Sequence, residues 1–141
     1  MQGKIIHLSS VSCYGSAVAS IDSNGKLVID KLGTGYSNRI EIHLEDVIPI
    51  SAGNVLSMTL TRVSGNYANV NLQTAIANSG SGWLELKASW VVNTASPKDP
   101  LVYTFSADKQ FDTIIFNSKS GGINSVTLEL RIKINGKVVV K

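Results

Sequence analysis

The chain alternates apolar and polar residues along most of its length, and no window of about a dozen residues keeps the 3.6-residue apolar period of a helix. The segment 39–45 alternates strictly, which directs Ile40, Ile42 and Leu44 toward a core and its charged residues toward solvent. The segment 125–134 repeats the pattern. Alternation of this kind predicts an all-β chain. Further strands are predicted over 4–9, 16–21, 26–31, 55–63, 67–77, 83–92, 101–106 and 110–117.

Turn residues separate these predicted strands. Asn24-Gly25 and Asn135-Gly136 each lie between two apolar-alternating runs. Because Asn and Gly tolerate the two positive φ values of a type I′ turn, both dipeptides predict β-hairpins. The segment 96–100 carries two prolines, which resist strand pairing, so it predicts a longer connection.

Strand number and chain length together predict the architecture. About ten strands at roughly ten-residue spacing favour a two-sheet antiparallel β-sandwich. Long strands, a proline-bearing crossover and Gly-rich loops suit a jelly-roll topology better than a small closed barrel. We expect one domain over residues 1–141, because a chain of this length buries roughly two-thirds of the surface of its unfolded form.

Charge and hydropathy narrow the function classes. The formal net charge of +3 comes from 13 Lys and Arg against 10 Asp and Glu, and the cations form no run. Nucleic-acid binding needs a clustered basic surface, so we expect none. Every apolar run is far shorter than the ~20 residues that cross a bilayer, and the first residues lack the pattern of a signal peptide. No membrane partner is therefore expected.

Groups that could perform catalysis are few. Cys13 has no adjacent cation and no CxxC partner, so we interpret it as a buried or half-buried structural cysteine. A Ser-His-Asp triad forms only in the folded chain, but no GxSxG motif points to one. We predict no catalytic residue and a chain that is not an enzyme, with a jelly-roll hydrolase or lyase as the least favoured alternative.

Metal and cofactor signals are equally weak. Glu41, His43 and Glu45 share one strand face, but residues two apart lie about 6.8 Å apart along a strand, which is too wide to surround a metal ion. With Arg39 on the same face, we interpret them as a ladder of opposite charges. The Gly-rich segments are flanked by strands rather than opening a helix, which disfavours phosphate binding. We predict no metal site and no cofactor.

Aromatic residues carry the strongest functional signal. In the segment 83–92 the even positions are apolar, so Trp83 shares the outer face of its strand with Glu85 and Lys87. An indole beside polar groups is a surface on which the C–H face of a sugar ring can stack. The alternative is that Trp83 caps one end of the core.

Polar residues on the preceding strand extend this candidate surface. Tyr67, Asn69, Asn71 and Gln73 share one side of the predicted strand 67–77, opposite Val70 and Leu72. Side-chain amides both donate and accept hydrogen bonds, which suits vicinal hydroxyls. Arg131 is a further candidate from the last long strand. The candidate ligand-binding residues are Trp83, Tyr67, Asn69, Asn71, Gln73 and Arg131.

Three segments carry a resemblance to a known family. The segment 48–60, in which an Ala-Gly turn leads into a long strand, resembles carbohydrate-binding jelly-roll modules. The segments 111–116 and 126–130 are similar to the closing strands of those modules, which also occur in phage tail and baseplate proteins. The resemblance implies a lectin-like, non-catalytic domain that binds a glycan on a sheet face or at loop tips. Such modules often hold a structural calcium.

We therefore expect a domain that recognises a poly- or oligosaccharide through aromatic stacking and polar side chains on a sheet face. We expect it outside the cell or on a virion surface, as a homo-oligomer or fused to a larger protein. The alternative is a structural or assembly domain of a phage tail, a fibre or a cell-surface complex.

Overall fold

The computed structural model of the chain describes residues 4–80, 82–93 and 100–141, and all their side chains except those of 82–89, 91 and 93. Within these residues the chain forms strands and no helix, which confirms the all-β prediction. The strands are β1 (Leu8–Cys13), β2 (Val18–Ile21), β3 (Leu27–Leu32), β4 (Ile40–Ile50), β5 (Val55–Gly65), β6 (Asn69–Asn78), β7 (Gly82–Asn93), β8 (Leu101–Thr104), β9 (Lys109–Ser120), β10 (Ile123–Ile134) and β11 (Lys137–Val140).

The strands form two antiparallel sheets with jelly-roll connectivity. One sheet has five strands in the order β1-β4-β9-β6-β7, and the other has the order β2-β3-β10-β5-β8 with β11 beside β10. If β3 to β10 are counted as one to eight, the two sheets read 2-7-4-5 and 1-8-3-6, which is the double Greek key of a jelly roll. The predicted topology is confirmed.

The core fills the space between the sheets. The inward residues Ile40, Ile42 and Leu44 of β4 are buried, as the alternation predicted, and one connected apolar cluster joins both sheets. Phe116 of β9 is fully buried, and its ring centroid lies 6.4 Å from that of Trp90 in β7. The predicted inward side chains of Leu84, Leu86 and Ala88 lie outside the described residues.

Both predicted hairpins form, but only one has the predicted turn. Asn135 and Gly136 have φ values of 49° and 82°, as a type I′ turn requires. In the other hairpin Gly25 has a positive φ and Asn24 does not, so the type I′ prediction is wrong there. The reason is Asp22, whose Oδ1 accepts hydrogen bonds of 2.9 Å from the backbone N–H groups of Asn24 and Lys26 and thereby stabilises a three-residue loop.

Two sequence expectations about the first strand are also wrong. The strand predicted over 4–9 begins at Leu8 and runs to Cys13, because β1 pairs as an edge strand with β4 only from Leu8 onward. Cys13 is exposed rather than buried, because it ends that edge strand; its Sγ lies 3.4 Å from Ala19 O of β2.

Of the proline-bearing connection predicted over 96–100, residues 96–99 lie outside the described residues. The part of the chain that the structure describes contains no helix long and apolar enough to cross a membrane.

Candidate functional site

The outward face of the five-stranded sheet carries a row of side-chain amides. Along β6 the inward residues Val70 and Leu72 are buried in the core, whereas Asn69 is exposed and Asn71 and Gln73 are half-buried. Because side chains alternate between the two faces of a strand, the three amides point away from the core on one side. We call the outward residues of the three central strands the amide face: Asn69, Asn71, Gln73, Ala75 and Ala77 of β6, Thr113, Ile115 and Asn117 of β9, and Glu41 and His43 of β4.

The middle of the amide face is shielded from solvent. Ile115 lies directly between Ala75 and Glu41 on the neighbouring strands, and with Ala75 and Ala77 it forms an apolar cluster separate from the main core. The flanking polar residues Thr113 and Asn117 are only 4% and 5% exposed. Small and shielded side chains therefore form a floor at the centre of the sheet.

A hydrogen-bonded chain borders this floor at one end. His43 Nε2 lies 2.9 Å from Ser12 Oγ of the edge strand, and His43 Nδ1 lies 3.4 Å from Thr113 Oγ1. Thr113 Oγ1 in turn donates to Asp112 Oδ1 at 2.9 Å, and Asp112 also accepts from the backbone N–H and the hydroxyl of Ser79. These contacts connect strands β1, β4 and β9 with the turn after β6, and they hold the border in one arrangement.

The electrostatics of this border centre on Asp112. Partial burial raises the pKa of Asp112, but the hydrogen bonds from Ser79 and Thr113 and the charge of His43 outweigh it and hold the pKa below its usual value. Asp112 is therefore ionised at neutral pH and acts as a hydrogen-bond acceptor.

The predicted charge ladder on β4 forms only in part. Arg39 Nε and Glu41 Oε2 form an ion pair at 3.0 Å, whereas His43 contacts hydroxyl groups and Glu45 Oε1 accepts a hydrogen bond from His7 N at 3.2 Å. The described residues contain no group of three or more His, Cys, Asp and Glu side chains that could hold a metal ion.

Two exposed tyrosines contact the Arg39 guanidinium at the end of the same sheet. The Arg39 Cζ lies 4.0 Å from the ring centroid of Tyr14 and 4.6 Å from that of Tyr36. The tyrosines are 39% and 53% exposed. We call Tyr14, Arg39 and Tyr36 the tyrosine clamp. The alternation of apolar and polar residues does not reveal the clamp, because both tyrosines lie in connections between strands.

The structure brings some of the predicted site residues together and separates others. Asn69, Asn71 and Gln73 share the amide face, as predicted. Tyr67 precedes β6 and contacts Arg62 of the opposite sheet, with Cζ 4.1 Å from the ring centroid and Nη2 donating to the Tyr67 hydroxyl at 2.9 Å. The backbone of Trp83 pairs with Ala77, but its side chain lies outside the described residues.

Arg131 lies away from the amides. It belongs to β10 of the other sheet, where it pairs in register with Thr59. Its Nη2 lies 2.8 Å from Glu129 Oε1, and Glu129 Oε2 lies 2.8 Å from Lys26 Nζ. The structure therefore assigns Arg131 to an ion-pair row on the outward surface of the six-stranded sheet.

Solved structures with a similar fold are carbohydrate-binding modules. One is a low-affinity xylan-binding module, CBM86, from the gut symbiont Roseburia intestinalis, with a TM-score of 0.56, 14% identity, and 92% of each chain covered. Another is the apo form of BiXyn10A CBM1, with a TM-score of 0.53, 17% identity, and 91% of this chain and 97% of that chain covered. No protein-family model matches the chain. No curated protein matches it either. The predicted resemblance to carbohydrate-binding jelly-roll modules is confirmed at the level of the fold.

Proposed function

We propose that this chain is a non-catalytic carbohydrate-binding domain that holds a glycan on its amide face. The observation that carries the proposal is the burial pattern of β6, which directs Asn69, Asn71 and Gln73 outward while Val70 and Leu72 anchor the strand in the core. Rigid β structure thus presents three side-chain amides in a row.

The chemistry of the amides suits sugar hydroxyls. Each amide group supplies both a donor and an acceptor, so one side chain can bond two neighbouring hydroxyl groups of a sugar ring. Asn71 Oδ1 is a buried acceptor that has no hydrogen-bond partner within the described structure. A buried acceptor without a partner costs free energy, which a sugar hydroxyl recovers only where neighbouring side chains move aside and let it reach Asn71.

Trp83 is the proposed stacking residue. Its backbone pairs with Ala77, and Ala77 belongs to the apolar floor of the amide face. Residues that are paired directly across antiparallel strands occupy the same face of a sheet, so the register supports the assignment.

The ligand we propose is a neutral polysaccharide. On β4 the charges of Arg39 and Glu41 neutralise each other at 3.0 Å, so this part of the face does not favour an ionic ligand. Xylan is the first probe, because the CBM86 module of similar fold is described as binding it with low affinity. Low affinity is expected here as well, since a shallow polar face leaves much of a ligand hydrated.

A binding role also sets where the protein works. A domain that binds polysaccharide acts where polysaccharide is found, which favours a location outside the cell. Fusion to a larger protein or self-association would raise the avidity of a weak binding face.

Affinity electrophoresis in native gels that contain xylan or another neutral polysaccharide tests the proposal. We expect retardation of the wild-type protein, and a loss of about tenfold or more in affinity for the combined Asn71→Ala and Gln73→Ala variant, because each amide contributes hydrogen bonds of about 0.5–1.5 kcal/mol. Trp83→Ala should also weaken binding without changing the melting temperature.

The matched control is Asn124→Ala, which removes an exposed amide from β10 of the other sheet and should bind as the wild type does. Wild-type protein that no neutral polysaccharide retards would contradict the proposal. Combined with a stable oligomer in light scattering, that result would favour the assembly alternative.

A further inference from the structure

We propose that the tyrosine clamp is a stacking subsite distinct from Trp83, and that the glycan chain crosses the strands of the five-stranded sheet at the level of Gln73, from β7 to β1. This inference rests on the proposed function and adds the direction and the minimum length of the ligand. It assigns a binding role to Tyr14 and Tyr36 and a positioning role to Arg39.

The register of the sheet places Gln73, one of the three amides of β6, at the level of the clamp. Ile40 pairs with Phe116 of β9, and Phe116 pairs with Thr74 of β6. One residue along each strand, Asn117 pairs with Gln73, and Arg39 precedes Ile40 at the same level. Arg39, Asn117 and Gln73 therefore form one row across the sheet, and the clamp continues that row at its β4 end.

The two connections that carry the tyrosines are fixed to each other. Asn38 Oδ1 accepts hydrogen bonds of 3.0 Å from the backbone N–H and the hydroxyl of Ser16, and Asn38 Nδ2 donates to Thr34 O at 2.8 Å. Gly15 has a φ of 63°, and a Cβ at this position would overlap Ser37 O and Asn38 Oδ1. These contacts hold the β1–β2 and β3–β4 connections together through the backbone and Asn38, without using the tyrosine rings.

The rings are also not needed by the core. Tyr14 and Tyr36 remain 39% and 53% exposed, and neither belongs to the buried apolar cluster. Arg39 orients them through cation–π contacts, and its ion pair with Glu41 at 3.0 Å keeps the guanidinium in place. An aromatic ring that is both held and open loses little conformational freedom when a sugar ring stacks on it.

The span of the face sets the length of the ligand. From β1 to β7 the sheet has four strand spacings of about 4.8 Å each, or roughly 19 Å in total. A single sugar or a disaccharide is too short to contact both the clamp and the β7 side of the face. The ligand class is therefore a polysaccharide, or an oligosaccharide long enough to span the face, rather than a free monosaccharide.

Titration calorimetry with a ladder of oligosaccharides cut from the retained polysaccharide tests this inference. For the wild type, affinity should rise with chain length until the oligosaccharide spans the face. The Tyr14→Ala and Tyr36→Ala variants should each lose about two- to tenfold in affinity for the longest oligosaccharides, because an aromatic stacking contact is worth about 0.5–1.5 kcal/mol. Their affinity for the shortest ones should not change.

Val63→Ala is the control, because Val63 is 52% exposed and lies on β5 of the opposite sheet. Its affinity and the melting temperatures of all three variants should equal those of the wild type. Arg39→Lys keeps the charge and loses the planar group, so it should weaken binding of long oligosaccharides as the tyrosine variants do. Wild-type affinity in the Tyr14→Ala/Tyr36→Ala double variant would overturn this inference alone, whereas a wild type that binds no glycan would overturn the proposed function with it.

Discussion

At the scale of single residues, polar side chains decide the local geometry of the amide face. Asp112 binds both the backbone and the hydroxyl of Ser79 and accepts from Thr113, so one carboxylate connects the turn after β6 to β9. Thr113 in turn contacts His43 of β4. The border of the face therefore depends on the ionised state of Asp112.

The Asp112→Asn substitution should make the free energy of unfolding change less as the pH falls from neutral to acid. The pKa of Asp112 is lowered in the folded protein, so its contribution is fully present above the ordinary value of 3.8 and is lost as the pH falls through the lower folded pKa. We expect the variant to be less stable than the wild type at about pH 7, by less than about 1 kcal/mol because the carboxyl is only partly buried, and the difference to shrink at about pH 3. Urea unfolding at the two pH values measures this.

Asp30→Asn is the control for that comparison. Asp30 is exposed on β3 and makes no hydrogen bond or ion pair with the described residues. Two results would contradict the role given to Asp112. One is a difference in the free energy of unfolding between the wild type and Asp112→Asn that grows at acid pH, and the other is the same difference in Asp30→Asn.

At the scale of elements, a close approach of two strands requires glycine. Gly65 ends β5 with a φ of 87°, and a Cβ there would overlap Ser125 O, with Val126 Cα at 2.9 Å. Gly25 in the β2–β3 hairpin has a similar φ of 76°, but no atom lies within 4 Å of the position of its Cβ. The two glycines share the same backbone conformation and differ in the space around it.

Gly65→Ala should therefore cost more stability than Gly25→Ala. The left-handed conformation alone costs an alanine about 1–2 kcal/mol, and the overlap at Gly65 adds roughly 1–3 kcal/mol because backbone atoms must shift. Chemical denaturation of both variants measures the two losses. Equal losses would show that β5 and β10 can move apart at this point without cost.

Elements also explain which of the predicted site residues share one face of a sheet. The alternation of β6 is a local property, so the shared face of Asn69, Asn71 and Gln73 could be read from the sequence. Whether Arg131 lies beside them depends on which sheet receives β10, and alternation does not specify the partners of a strand.

At the scale of the whole molecule, one apolar cluster connects the two sheets. Phe116 of β9 is fully buried in that cluster and lies next to Trp90 of β7. Each sheet covers the inner face of the other. Neither sheet can therefore unfold without exposing the apolar inner face of its partner to water. We expect a single cooperative unfolding transition for the chain.

Phe116→Ala should lower the free energy of unfolding by about 3–5 kcal/mol while the transition remains cooperative. Tryptophan fluorescence and far-UV circular dichroism should report the same midpoint. Val102→Ala, at an exposed position of β8, should change stability by less than about 0.5 kcal/mol. Two separate transitions in the wild type would contradict the single core.

The sequence by itself determined the β class, most strand positions, both hairpins and the inward and outward faces of β4 and β6, because these depend on neighbours along the chain. Only the tertiary structure decided what depends on strand partners. It placed Arg131 in the other sheet and Tyr67 against Arg62, exposed Cys13 at the edge of a sheet, and brought Tyr14 and Tyr36 to Arg39. The physical reason is that hydrogen-bonded pairing of strands distant in the chain, driven by burial of a shared core, sets which side chains meet on a surface.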